Sequence, residues 1–129
     1  EAEFASVTLF LVHLALGIRA RHRQLLELDD LIRARSKPCL VAGDFNTLSG
    51  VWEMHMFLRA TGLKSANAHH APTFPSWAPC RELDFICYDP SITPVRFKIP
   101  KVRLSDHLPL MFDFETASAP CRPIADDGH

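Results

Sequence analysis

Four polar spots interrupt the apolar runs of this chain, and each holds residue types that can work on a phosphate. Asp44 and Asn46 come directly after Cys39-Leu40-Val41-Ala42-Gly43, two residues apart. On an extended backbone, residues two apart share a face, so the carboxylate and carboxamide project together while Phe45 turns back to the core. Such a hard-oxygen pair suits Mg²⁺ and the orientation of a phosphate or water. His13 lies in Leu11-Val12-His13-Leu14, Asp84 in Arg81-Glu82-Leu83-Asp84-Phe85-Ile86, and Ser105-Asp106-His107 just before an apolar run. An imidazole beside a carboxylate keeps a fixed tautomer and can move protons near neutral pH. Singly, each spot has a plainer account: an Asx turn, a satisfied core histidine, an aspartate at a strand entry. Only the combination calls for chemistry.

The elements that must position these residues are legible in outline. Ser6 to Leu16 is apolar on both faces and predicts a strand covered on both sides. Gly17 breaks it. Ile18, Leu25, Leu28, Leu31 and Ile32 are spaced for an amphipathic helix to about Arg35, ended by Ser36-Lys37-Pro38. With the Cys39–Gly43 strand this makes a strand–helix–strand crossover. Ser49 or Gly50 is expected to cap a short helix with Glu53 in its first turn, closed at Gly62 with Leu58 and Leu63 in contact. The stretch 66–79 lacks a period and reads as a loop. Leu83–Tyr88, Pro94–Ile99 and Leu108–Glu115 read as strands, the last turning Leu110, Phe112 and Phe114 to one side. The stretch 116–129 reads as a frayed tail, and the acidic Glu1-Ala2-Glu3-Phe4 as a cloning or processing remnant outside the fold.

At 129 residues the chain suffices for one domain with a real core. A formal net charge of −1 excludes a global basic field for gripping long nucleic acid. No apolar run approaches the ~20 residues of a membrane span, so no membrane partner is expected. The four cysteines form no CxxC pair, and His69-His70 near Cys80 lacks zinc-site spacing. Reduced thiols and a cytoplasmic location are the resulting expectation. Arg19-Ala20-Arg21-His22-Arg23 reads as a solvated helix face.

Taken in order, His-Leu, Gly-Asp-Phe-Asn, Arg-x-Leu-Asp-Phe-Ile and Ser-Asp-His-x-Pro closely resemble the endonuclease/exonuclease/phosphatase superfamily, over about Val7 to Glu115. Thr73-Phe74-Pro75-Ser76-Trp77 ahead of the Arg-x-Leu-Asp-Phe-Ile strand fits the same resemblance. It implies an α/β (α+β) fold, a DNase I-like sandwich of two β-sheets flanked by helices. It also implies metal-assisted attack of water on a phosphate ester, with Mg²⁺ or Mn²⁺ as cofactor. By motif, Asp44 would position the attacking water and Asn46 would orient it with a phosphate oxygen. His107 would stabilise phosphoryl oxygens or transfer a proton, Asp84 would hold its imidazole, and His13 would contact the scissile phosphate. Asp44, Asn46 and Asp106 would form the metal site.

One departure from the pattern bears on activity. Family domains run to about twice this length, and their first half carries an asparagine and a glutamate that complete the metal site. The resemblance here begins in mid-domain, so the chain reads as the C-terminal half of the fold. The apolar side of the last strand would then need a cover, and a homodimer or higher oligomer is the expectation. Arg81 is placed to meet a substrate phosphate, and Trp77 or Phe74 to stack on a base or line an apolar pocket. The resemblance points first to a phosphodiester hydrolase acting on DNA or RNA. A catalytically weak fragment that retains metal or phosphate binding, and a phosphomonoesterase on a small or lipid phosphate, are the alternatives.

Overall fold

The computed structural model describes residues 2–3, 6–48 and 50–117. Its elements are β1 (Ala2–Glu3), β2 (Thr8–His13), α1 (Ile18–Ala34), β3 (Cys39–Asp44), α2 (Trp52–Thr61), β4 (Lys64–Ser65), β5 (Asp84–Tyr88), β6 (Thr93–Lys98) and β7 (Met111–Glu115). Strands β2 and β3 run parallel, with α1 as the crossover, in register from Thr8↔Cys39 to His13↔Asp44. Strand β5 lies antiparallel to β3, from Leu40↔Tyr88 to Asp44↔Asp84. The larger sheet has the order β1-β2-β3-β5-β4, and β6 pairs with β7 in a second sheet. Two elements depart from expectation. Ala2–Glu3, set aside as a remnant, pairs antiparallel with Thr8 and Leu9. The two-residue β4, between the close of the second helix at Gly62 and the loop that begins at residue 66, is too short to leave a periodic signature.

Alternation along the strands sorts the core into two layers. Phe10, Val41, Phe45, Phe85 and Cys87 face the helices and pack on Leu25, Leu28 and Ile32 of α1 and on Met54 and Phe57 of α2. Residues on the other face, Leu9, Leu40, Ile86 and Tyr88, meet Phe112 and Phe114 of β7. Each large apolar side chain that is fully taken from water contributes about 1.5–3 kcal/mol, and the partly buried ones less. Two sheets face to face with the helices outside give the expected DNase I-like arrangement. The expectation that Phe112 and Phe114 need a cover from outside is corrected here, because the larger sheet already packs on them, with the Tyr88 and Phe112 rings 5.3 Å apart. Leu11, Val95 and Met111 remain exposed.

The buried stripe of α1 is not the one the apolar residues alone suggest. It runs Arg21, Leu25, Leu28, Ile32, while Ile18 and Leu31 face solvent. Arg21 is therefore no part of a solvated face. Its Nε and Nη2 donate to Glu53 Oε2 and Oε1 at 2.6 and 2.7 Å, and Nη1 donates to the carbonyls of Ala15 and Leu16. This planar fork ties α1, α2 and the β2–α1 turn together. Glu53 serves that pair in the interior. The start of α2 also differs: Val51 is its N-cap and offers no side-chain bond, and Ser49 lies outside the described residues. Its other end is as expected, with Gly62 at φ 72° and its amide donating to the Leu58 carbonyl at 2.9 Å. The tail beyond residue 117 also lies outside the described residues. No helix among the described residues is long and apolar enough to cross a membrane.

Candidate active site

Register alone brings three of the singled-out residues together. His13, Asp44 and Asp84 are direct partners across β2, β3 and β5, on the sheet face turned away from the helices. The rung sits where the apolar face ends, so its charged groups reach solvent. Asp44 and Asp84 keep only 17% and 15% of their side-chain surface, whereas His13 keeps 80%. One position before the rung, Gly43 has φ 143°, and a Cβ there would lie 1.9 Å from the Val12 carbonyl oxygen. Only glycine lets β2 and β3 meet at this point.

The β3 terminus is locked to β2 just beyond. Leu14 donates its amide to the Asp44 carbonyl at 2.8 Å, and Asn46 returns its Nδ2 to the Leu14 carbonyl at 2.6 Å. Asn46 adopts φ 49°, a left-handed conformation that asparagine tolerates. Its amide donates to Asp44 Oδ1 at 2.9 Å. One carboxylate oxygen of Asp44 is thus held by the backbone. The other, Oδ2, lies 3.6 Å from His13 Nε2 and 3.8 Å from His107 Nε2.

His107 arrives from the segment before β7 and is fixed through Asp84. Its Nδ1 lies 2.7 Å from Asp84 Oδ2, which also accepts from the Thr73 hydroxyl at 2.6 Å. Thr73 is fully buried and its oxygen accepts from the amides of Leu83 and Asp84, both at 3.3 Å. The Leu108 amide donates to the Thr73 carbonyl and the Ser76 amide to the Asp106 carbonyl, so the loop around Phe74 clasps the histidine segment. The Phe74 ring covers the imidazole at 4.8 Å. Partial burial alone would lower the His107 pKa. The Asp84 hydrogen bond and the charges of Asp84, Asp44 and Asp106 outweigh it and raise the pKa above its ordinary value. With Nδ1–H directed at Asp84, Nε2 is the nitrogen presented to a reacting group.

The structure thus gathers His13, Asp44, Asn46, Asp84 and His107 at one end of the larger sheet. Asp106 is exposed, and its carboxylate influences the imidazole through charge alone. Among the described residues, the grouping able to hold a metal is Asp44, Asp84 and His107, whose donor atoms lie within 4.8 Å of one another. Its chemistry suits a hard cation only in part, because Nδ1 of His107 and Oδ2 of Asp84 are committed to each other. Asp44 Oδ2 is the one firm carboxylate oxygen, and the carboxamide oxygen of Asn46 has no partner among the described hydrogen bonds. Such a donor set fits a divalent ion that keeps much of its water shell.

Arg81 is exposed, its backbone bridging to Phe74, and no hydrogen bond or ion pair ties its guanidinium to the group. Trp77 is 60% exposed and lines a separate groove. Thr73 is the residue that sequence reasoning passed over as a participant. A buried hydroxyl in an aperiodic loop carries no periodic signal, and only its place in the Thr-Phe-Pro-Ser-Trp motif marks it. Cys39 and Cys87 are buried free thiols, and burial pushes the first up to about 11, well away from nucleophilic use.

Comparison with known proteins bears on the fold and the family. A UPF0294 protein of Yersinia pseudotuberculosis is 30% identical over 114 residues, a match covering 84% of this chain and 42% of that protein. Among solved structures, an endonuclease/exonuclease/phosphatase family protein from Bacteroides thetaiotaomicron matches with a TM-score of 0.67 at 17% identity, over 84% of this chain and 49% of that one. A mannosyl-6-phosphatase of the same organism matches with a TM-score of 0.61 at 20% identity, over 83% and 50%. The chain therefore spans about half the length of the relatives it matches. Residues 8–107, from the first strand of the rung to the histidine that completes it, match the sequence profile of one family, and the chain belongs to that Endonuclease/Exonuclease/phosphatase family.

Proposed function

We propose that the chain carries the proton-handling and phosphate-handling part of a divalent-metal-dependent phosphodiester hydrolase, in the first place a nuclease. The observation that supports this most is the Thr73–Asp84–His107 relay, which turns Nε2 of the imidazole towards Asp44. Asp44 orients the attacking water and takes its proton. Asn46 holds Asp44 in place through its backbone amide and offers its carboxamide to the phosphate. His107, charged to a higher pH than an ordinary imidazole, donates hydrogen bonds or a proton to phosphoryl and leaving oxygens. Asp84 and Thr73 are positioning residues. His13, exposed at the rim of the rung, meets the phosphate from the other side. A bound Mg²⁺ or Mn²⁺, anchored by Asp44, would supply charge neutralisation and a more acidic water.

Two narrower readings have support of their own. The phosphatase among the structural relatives favours a phosphomonoester substrate. The half-length match favours a weakly active piece that still binds metal or phosphate. Supercoiled plasmid, bis-p-nitrophenyl phosphate and p-nitrophenyl phosphate, each with Mg²⁺, Mn²⁺ and chelator, separate the three. The expected outcome is cleavage of the two diesters, abolished by chelator and lowered roughly 10²–10⁴-fold in Asp44→Ala and His107→Ala. Diester cleavage that survives both substitutions in the presence of chelator sinks the proposal.

A further inference from the structure

We infer that the groove beside the His107 segment binds single-stranded nucleic acid, stacking a base on Trp77 and holding its phosphates with Lys98, Lys101 and Arg103. The groove has a volume of about 640 Å³ and includes Trp77, Phe97, Lys98, Lys101, Arg103 and His69 in its wall, with no aspartate or glutamate. In a chain of net charge −1 this is a local concentration of positive charge. Lys98, Lys101 and Arg103 are exposed and make no ion pair with any described residue. Trp77 stands 60% exposed on the turn after Phe74, where the Ala78 amide donates to the Pro75 carbonyl at 3.1 Å.

Ring and charge together select the occupant. A lone phosphate needs neither an indole nor a space of this size, whereas a nucleotide supplies both a flat ring and an anion. Aromatic platforms in a positive groove are the general solution for holding a single strand. The groove also adjoins the reacting groups. Ser76 and Leu108 belong to its wall, and they are the residues whose amides donate to Asp106 and Thr73, on either side of His107. A strand leaving the phosphate at His107 would run along this wall. The assignment rests on the phosphodiesterase reading only for the bound strand's role as substrate.

The test uses fluorescence anisotropy of a labelled oligothymidylate with the full chain, in chelator to suspend cleavage. Three cations on a single strand predict a salt slope of log affinity against log salt of roughly −2. Lys101→Glu combined with Arg103→Glu should weaken binding at least tenfold and shrink that slope. In a Trp52→Phe variant Trp77 is the sole indole, and the oligomer should quench it while an abasic oligomer of equal charge should not. Unaltered binding in the charge-reversed variant, equal quenching by the abasic oligomer, or tighter binding to phosphatidylserine vesicles than to the oligomer would overturn the assignment. Salt-sensitive binding that the charge reversal abolishes, without hydrolysis of any ester, would leave the groove standing and remove the hydrolase reading. Hydrolysis of bis-p-nitrophenyl phosphate with oligomer binding indifferent to charge reversal would do the opposite.

Discussion

His107 Nδ1 lies 2.7 Å from Asp84 Oδ2, although 23 residues of chain separate the two. The bond fixes which nitrogen of the imidazole faces Asp44, and it lets the carboxylates raise the histidine's pKa against the opposing effect of burial.

A raised histidine pKa has a defined consequence for stability. The folded value exceeds the ordinary one, so the Asp84–His107 interaction contributes fully below the unfolded pKa of 6.5 and is lost as pH rises through the folded value. An NMR titration of the His107 ring should show a midpoint above 6.5, and Asp84→Asn should bring it down. A midpoint at or below the ordinary value in the unsubstituted chain would contradict the relay.

Metal binding should be weak and should depend on Asp44. Because Asp84 and His107 engage each other, Asp44→Asn is expected to weaken Mn²⁺ binding roughly tenfold or more, a loss of the size seen when metal-site support is removed. Asp106→Asn, which alters an exposed carboxylate outside the grouping, should change it far less. Water-proton relaxation with Mn²⁺ measures both, and an equal loss in the two variants would restore Asp106 as a ligand.

Gly43→Ala tests the close approach of β2 and β3. An added Cβ would meet the Val12 carbonyl oxygen at 1.9 Å and the Val12 carbonyl carbon at 2.9 Å, both backbone atoms, with φ at 143°. Strain of this kind costs on the order of 3 kcal/mol, and the rung formed by His13 and Asp44 would shift with it. Denaturant melts and ester hydrolysis should both suffer. A variant of full stability would mean the strands do not meet here.

The interior ion pair of Arg21 and Glu53 predicts non-additive substitutions. Glu53→Ala leaves a buried guanidinium without its carboxylate and should cost about 3–5 kcal/mol. Replacing both, as Arg21→Met with Glu53→Leu, should cost less than Glu53→Ala alone. A double variant as unstable as the sum of the singles would show that the carbonyls of Ala15 and Leu16, which also accept from Arg21, carry most of the interaction.

The residues of the rung were legible because their signals are local. A polar pair two residues apart at the end of an apolar run shares a face whatever the fold, and the period of α1 and the glycine after α2 are equally local properties. The chain order of the four motifs was enough to indicate the family. Tertiary structure decided the rest. Thr73 holding Asp84, Asp84 holding His107, and Glu53 drawing Arg21 inside all join residues 11 to 32 positions apart. Polarity alone puts an arginine outside and a loop threonine in solvent, and only a partner brought in by another element makes their burial favourable. The pairing of Ala2–Glu3 with β2 likewise depends on an open sheet edge, because two residues hold no periodicity of their own.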